Sequence, residues 1–554
     1  MFKKQSFNAC RVIFFFTRRL AEKIENSPTG FSVWFFSFFS IVTVRVLIEN
    51  WLGALSENDL PHFFYHFSYN FLFFLFTYLL FVLLIKKVVG ITLKQASNIM
   101  LWGYLIILTP PITDYVISGG KGFVSFYGIH GLSELISRFF TFFGDRPEVG
   151  VTYGVRIEIA LAVISLFAYG IIKTKKMRKA LTLSLSAYVL LFILGTFPSW
   201  ITIILKGPAQ GFLSVTEMDI AQMFLSPARI FSQEIGSFLN ALSIKLALVY
   251  SLLIALLALG IFYLNFREKF VSFAKNARPP QLFYHWGLLF AGAGLGIFFS
   301  RIDWEMNLFN IIGLLIVIIS VGLSWVSSVT INDLFDKKID EITNTSRPLI
   351  MKIFSREEYA GLGLVLLLSS LFLSSLVNFK ISMLLLAYNA LAWAYSAWPL
   401  RLKRFAYIST FVSAIASILI LFSGFILVSP DQNISNLPFS IITLLVISYT
   451  ISLPLKDLKD IEGDKKDGVY TVPVIFGEDR GRIIIASGIF ISYVLSVVFL
   501  HEFNLFRWAI LFGGISFWTV ISSRKKGKIN YRNIFWYILG LVLTYGIIIV
   551  KVAF

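Results

Sequence analysis

The chain has 554 residues, of which 57% are hydrophobic and only 14% charged, with a mean hydropathy of +0.78. That charged fraction is far below the roughly one quarter found in soluble domains, and it excludes an ordinary water-soluble enzyme. The formal net charge of +18 does not point to nucleic acid, because the Lys and Arg residues sit in short connections beside apolar runs, as orientation signals in membrane proteins do. The single cysteine, Cys10, excludes an intrachain disulfide framework and a Cys-rich metal site.

The first 23 residues have a basic start and a short apolar run, but no small-residue cleavage site follows, and Arg18, Arg19 and Lys23 interrupt the run. A basic amphipathic helix at the membrane surface fits this pattern better than a signal peptide. Apolar stretches near 31–48, 63–85, 96–118, 157–173, 180–205 and 243–265 then read as about six spans, since a helix needs about 20 apolar residues to cross the hydrocarbon core. Pro110 and Pro111 should kink or end the third of these. Asp114, Arg156, Glu158, Glu217 and Asp219 are the polar residues of this half with most functional potential, although all fall at span ends, where hydration makes them cheap. His62 and His66 are four apart but lack a third ligand at suitable spacing, so a packing role is expected. The charged segment Arg267 to Arg278, closed by Pro279 and Pro280, marks a boundary between an N-terminal multi-span domain, 1–270, and a second domain, 271–554.

Nine further spans are expected at 284–300, 307–329, 357–376, 381–397, 405–428, 438–456, 483–500, 506–521 and 532–553. Gly292 to Gly296, Gly-Ala-Gly-Leu-Gly, lies inside an apolar span with no strand before it, so it reads as a close helix contact and not as a dinucleotide loop. The whole is an all-α polytopic membrane protein. If the most basic connections face the cytoplasm, the N-terminus does so too. Lys86–Lys87, Lys173 to Lys179, Arg267 to Arg278, Arg401 to Arg404 and Arg524 to Lys528 then share that side with two acidic motifs.

Those motifs carry the chemistry. Asn332-Asp333-Leu-Phe-Asp336-Lys-Lys-Ile-Asp340 follows one span, and Asp457-Leu-Lys-Asp460-Ile-Glu-Gly-Asp464 follows another. Both place Asp at i, i+3 and i+7, which on a continuous helix would fall within about 60° of one another. Clustered carboxylates repel unless a cation lies between them. Hard oxygen donors of this kind suit Mg²⁺, which prefers a few carboxylates plus substrate phosphates. The implied substrate is a diphosphate with a hydrocarbon tail, for which the bilayer is the natural source. Arg347 and Lys352 after the first motif, and Tyr395, Arg401, Lys403 and Arg404 between the two, are placed to complete a phosphate site.

At these residues the sequence resembles the UbiA superfamily of intramembrane prenyltransferases. The resemblance rests on Asn332 to Leu349, on the second motif with its following Thr471-Val-Pro-Val, and on Tyr395-Ser-Ala-Trp-Pro-Leu-Arg-Leu-Lys-Arg. It departs from the family where Asn344 to Leu349 is short and where Ile350 to Phe354 replaces small residues. The resemblance implies a nine-helix bundle, preceded here by an extra domain of about six helices. It implies two Mg²⁺ ions held by Asp333, Asp336 and Asp340 and by Asp457, Asp460 and Asp464, with prenyl diphosphate between them. It further implies Asn332, Arg347, Arg401 and Lys403 on the diphosphate, and Tyr395 beside the allylic carbons, where its ring could stabilise developing cationic charge. The expected reaction moves a polyprenyl group to an acceptor, either an aromatic quinone precursor or a polar lipid precursor. The competing expectation is a transporter or lipid-binding scaffold whose acidic motifs hold headgroups without catalysis.

Overall fold

The computed structural model describes residues 2–553 apart from 53–59, 124–125, 145–149, 227, 231–232, 236–237, 301–306, 338–339, 342–343, 430, 460, 467 and 524–530; side chains of 2–13, 60–62, 228–230, 233–235, 238–239, 531–532 and 553 are likewise outside it. Among the described residues, fourteen helical stretches are long and apolar enough to cross a membrane, six before residue 266 and eight after residue 278. The protein is an integral, multi-pass, helical membrane protein, with one short hairpin of strands β1 (Ala228–Ile230) and β2 (Gln233–Ile235). The chain divides into two compact units, one of residues 1–228 and 235–257, the other of 229–234 and 258–554.

The first unit contains α1 (Phe2–Glu25), α2 (Phe31–Leu52), α3 (Leu60–Val89), α4 (Leu93–Gly103), α5 (Thr109–Ile117), α6 (Leu132–Phe140), α7 (Tyr153–Thr174), α8 (Met177–Gly195), α9 (Phe197–Gln210), α10 (Glu217–Phe224) and most of α11 (Phe238–Asn265). The basic N-terminal segment is helical as expected. It exposes Phe15 and Phe16 while burying Glu25, which accepts from Tyr169 (2.9 Å) and Lys173 (2.5 Å) on α7. The expected span at 180–205 is instead two helices: α8 stops at Gly195 and α9 restarts at Phe197 with Pro198 in its first turn, where a missing N–H costs nothing. Pro110 and Pro111 likewise open α5 after a 3₁₀ turn at Tyr104–Leu108.

Three of the polar candidates of this unit, Asp114, Arg156 and Asp219, make local structural contacts. Asp114 accepts from Thr152 Oγ1 (2.6 Å) and from the Gly154 amide (2.7 Å), which satisfies an otherwise orphaned donor at the start of α7. Arg156 donates to the carbonyls of Gly144 (2.7 Å) and Phe143 (3.0 Å). Asp219 closes a capping box on α10 with Thr216, and Lys206 holds its carboxyl well below the usual range through a hydrogen bond. His66 contacts Asn70 (3.2 Å) and Glu49 (3.8 Å), whereas the His62 side chain lies outside the described residues.

The second unit follows α12 (Arg267–Asn276) with α13 (Pro279–Ser300), α14 (Leu308–Phe335), α15 (Arg356–Val377), α16 (Phe379–Ser396), α17 (Ile408–Val428), α18 (Phe439–Ser452), α19 (Ile461–Lys466), α20 (Val472–Phe476), α21 (Glu478–Phe499), α22 (Phe506–Ser522) and α23 (Tyr531–Ala553). The span expected at 381–397 forms as α16, but with Lys380, Asn389 and Ser396 it is shorter and more polar than the fourteen. Lipid tails are as apolar as Leu, so helices in a bilayer associate through close approach and hydrogen bonds more than through apolar burial. Both devices occur here. A Cβ on Gly292 of α13 would lie 1.8 Å from the Leu421 carbonyl oxygen, and one on Gly424 of α17 would lie 1.9 Å from that of Leu289, so these two backbones touch directly. Between α14 and α15, Ser324 pairs with Ser370 (2.9 Å), Ser370 donates to the Ser320 carbonyl (2.7 Å) and Ser327 to that of Gly363 (3.0 Å). Asn389 of α16 joins this ladder through Ser324 (2.8 Å).

Candidate active site

The first acidic motif begins inside α14 and ends beyond it. The helix stops at Phe335, Asp336 forms its C-cap, and the Asp340 amide still bonds the Asp336 carbonyl at 2.9 Å. Asp333, Asp336 and Asp340 are all buried. Asp333, only 1% exposed, is saturated with donors: Arg278 to one oxygen (2.8 Å), Asn276 (2.6 Å) and Tyr359 (2.9 Å) to the other. Arg347 hydrogen-bonds Asn276 and sits 3.8 Å from Asp340 and 4.0 Å from Asp333. Asn332 donates to Asp336 (2.7 Å) and accepts from Arg278 (3.2 Å). Lys403 forms a direct ion pair with the same Asp336 carboxylate, which Arg401 approaches at 3.6 Å. Burial pushes the Asp340 carboxyl up to about 6, against the pull of Arg347 and with repulsion from Asp333 added.

The second motif is not the continuous helical stripe that equal spacing suggested. Pro454 interrupts the helix after Ser452, Asp457 lies in a 3₁₀ segment (Leu453–Lys459), and Asp464 lies on the separate short helix α19. Asp460 lies outside the described residues. The loop after this motif is tied to the basic segment between the motifs: the Tyr470 amide donates to the Arg404 carbonyl (2.9 Å), and Phe405 and Tyr470 form a parallel bridge. Asp464 accepts from the Val469 amide through its carbonyl (2.9 Å).

Lys456, one residue before Asp457, was not singled out from the sequence. Its ammonium donates to the Tyr395 hydroxyl (3.1 Å) and to Ser413 (3.2 Å), and lies 5.0 Å from the Tyr395 ring centroid. Tyr395 is within electrostatic reach of Lys456, Asp457 and Asp336, and Lys456 of Asp457 and Asp464. The two motifs therefore converge around one tyrosine. Asn276, Arg278 and Tyr359 were also missed. Arg278 could have been suspected from its place before Pro279 at the mouth of the bundle; Tyr359 lies on the first turn of α15 and carries no motif.

Residues 286–539 match the family model described as the UbiA prenyltransferase family. The second unit carries a UbiA prenyltransferase domain. The chain is 29% identical over 199 residues to a digeranylgeranylglyceryl phosphate synthase from Methanosphaera stadtmanae, covering 35% of this chain and 68% of the relative. It is 30% identical over 203 residues to the chloroplastic chlorophyll synthase of Avena sativa, covering 35% of this chain and 52% of the relative. The second match thus spans about half of that relative's length. Among solved structures, a UbiA homologue from Archaeoglobus fulgidus bound to DMAPP and Mg²⁺ is 21% identical, with a TM-score of 0.40, covering 51% of this chain and 99% of that one. Residues 1–285 lie outside the matched region.

The donor chemistry fits a metal-bound diphosphate. Nε atoms of Arg278, Arg347 and Arg404 are buried without a hydrogen-bond acceptor, an expensive arrangement that anionic oxygens would relieve. Asp340 offers hard oxygens beside Arg347, and Asp336 beside Lys403 and Arg401, and the second motif adds the carboxylates of Asp457 and Asp464.

Proposed function

We propose that this protein transfers a polyprenyl group from an allylic diphosphate to an acceptor presented from the bilayer, with release of diphosphate. The observation that carries the reading is that carboxylates of both acidic motifs lie near Tyr395, while Arg278, Arg347, Arg401 and Lys403 pair with the carboxylates of the first motif and buried arginine Nε atoms lack hydrogen-bond acceptors. In this reading Asp336 and Asp340, with Asp333 behind them, hold one Mg²⁺, and Asp457, Asp460 and Asp464 hold the other. Bound Mg²⁺ would neutralise the diphosphate and make it a leaving group. Arg278, Arg347, Arg401 and Lys403 grip the diphosphate oxygens, Asn332 orients Asp336, and the Tyr395 ring faces the carbon from which the diphosphate departs. Relatives named for a glyceryl phosphate lipid and for chlorophyll support a polyprenyl donor and a membrane-borne acceptor. The site faces the cytoplasm in this proposal, supported by the basic connections that share its side by span count.

The test incubates the purified full-length protein with Mg²⁺, labelled geranylgeranyl diphosphate and a panel of aromatic and polar lipid acceptors. Wild type should form labelled product, and Asp336→Asn and Asp457→Asn should reduce it by at least a hundredfold. Equal product from all three would defeat the assignment. Diphosphate binding with no turnover on any acceptor would favour the scaffold reading.

A further inference from the structure

In the first unit, His130, Glu134 and Glu217 come together from segments up to 87 residues apart. His130 Nδ1 lies 2.9 Å from a Glu217 oxygen and 3.3 Å from a Glu134 oxygen, and the three ligand atoms all fall within 4.8 Å of one another. We propose that these residues form a binding site for a divalent first-row transition ion, zinc being the test case, separate from the acidic motifs of the second unit.

The chemistry of the pairing supports an ion over a simple salt bridge. One imidazole N–H donates to one oxygen, yet two carboxylates converge on the same ring nitrogen. A metal ion accepts all three lone pairs. Zinc–nitrogen and zinc–oxygen bonds of about 2.0–2.2 Å put tetrahedral ligands about 3.4 Å apart, so only small shifts would seat the ion. One imidazole and two carboxylates suit zinc and its neighbours better than calcium or magnesium, which seek oxygen alone.

The site is also built to hold its shape and to admit an ion. His130 is 6% exposed. Its amide donates to Ser199 Oγ (3.1 Å), Ser199 donates to the Gly128 carbonyl (3.2 Å), and the Gly128 amide bonds the Gly195 carbonyl (3.0 Å), so the α8–α9 junction holds the main chain that carries His130. Glu134 is held by Arg138 through Nε (2.8 Å) and Nη2 (2.6 Å). Glu217 stands at the first position of α10, whose capping box uses Thr216 and Asp219 and leaves Glu217 to the cluster. The two glutamates are 43% and 57% exposed, which gives the ion an entrance and leaves a fourth position for water. Within the first unit this cluster lies after the third crossing, on the face opposite the Lys86–Lys87 turn. An ion there would clasp the excursion before α6 to the connection between α9 and α10.

The experiment loads full-length protein with Zn²⁺, desalts it and measures bound zinc and thermal unfolding. Asp336→Asn serves as a control in which the acidic motif is weakened. Wild type and Asp336→Asn should each retain one zinc equivalent, lost in His130→Ala and in Glu217→Gln, and zinc should raise the melting temperature by several degrees only where it is retained. Co²⁺ substitution should give the visible absorption of a four-coordinate nitrogen–oxygen site, again absent from His130→Ala. Zinc retained equally by His130→Ala and Glu217→Gln, or none retained by wild type, would overturn the proposal. Glu217→Gln preserves size and hydrogen bonding, so its loss of zinc with an unchanged metal-free melt excludes misfolding as the cause.

Discussion

The two aspartates nearest each other in the first motif have different surroundings, and substitution should separate them. Asp333 is locked by three donors inside the bundle, so Asp333→Asn leaves Arg278 with a weaker partner and should destabilise the protein by about 1–3 kcal/mol. Thermal unfolding in detergent reads this directly. Asp336 faces Lys403 and Arg401 at the site itself, and Asp336→Asn should abolish transfer with a much smaller change in melting. For Tyr395, Phe keeps the ring and should retain transfer within about tenfold, whereas Leu should lose a further 5–30-fold, the equivalent of about 1–2 kcal/mol of cation–ring attraction. Rates for the two variants falling together would remove the ring from the mechanism. At this scale the motif residues were legible because repeated carboxylate spacing in an acid-poor chain is conspicuous. Asn276, Tyr359 and Lys456 were not, since an amide, a phenol and one more lysine at a helix end carry no spacing signal until the fold brings them to Asp333 and Tyr395.

Among the elements, apolar length read most of the helices correctly, because crossing a bilayer imposes a length that the sequence must show. What failed was continuity. The 180–205 segment looked like one span because its apolar character runs through Thr196 and Pro198, yet the chain breaks there. The second acidic motif looked like a twin of the first, but Pro454 splits it into a 3₁₀ segment and a separate helix, so equal spacing hides unequal geometry. The glycine run at Gly292 was read correctly as a helix contact; its partner Gly424 emerged only from the packing. Gly424→Leu should force α13 and α17 apart and cost more than the 1–3 kcal/mol typical of overpacking, because the obstacle is backbone. Gly294→Ala meets nothing within 4 Å and should leave the melt unchanged.

For the whole molecule, orientation is the property to measure. The only native cysteine is Cys10, so a Cys10→Ser background permits single-cysteine mapping. A membrane-impermeant maleimide applied to intact cells should label Asp431→Cys and spare Glu357→Cys, both exposed in the fold, with the pattern reversed in inverted vesicles. Labelling of Glu357→Cys from outside would invert the proposed topology. The acidic motifs could be assigned to one face from the sequence only by counting every preceding span, so a single miscounted helix would have reversed the result. The bundle's boundary was less legible still, since the residues before Pro279 look like a linker yet Asn276 and Arg278 reach the site.

The acids and bases of the second unit are one another's counter-ions: Asp336 with Lys403 and Arg401, Asp333 with Arg278, Asp340 with Arg347. Either ligand arriving alone must pull one partner from the other and strand it. Mg²⁺ frees the cations that diphosphate needs, and diphosphate frees the carboxylates that Mg²⁺ needs, so each ligand lowers the cost of the other. Binding of the two should be strongly cooperative and, by linkage, reciprocal: the factor by which Mg²⁺ tightens the diphosphate must equal the factor by which diphosphate tightens Mg²⁺. Titration calorimetry in both orders would measure that factor, and Lys403→Ala, which removes the counter-ion from Asp336, should tighten Mg²⁺ alone while shrinking the coupling.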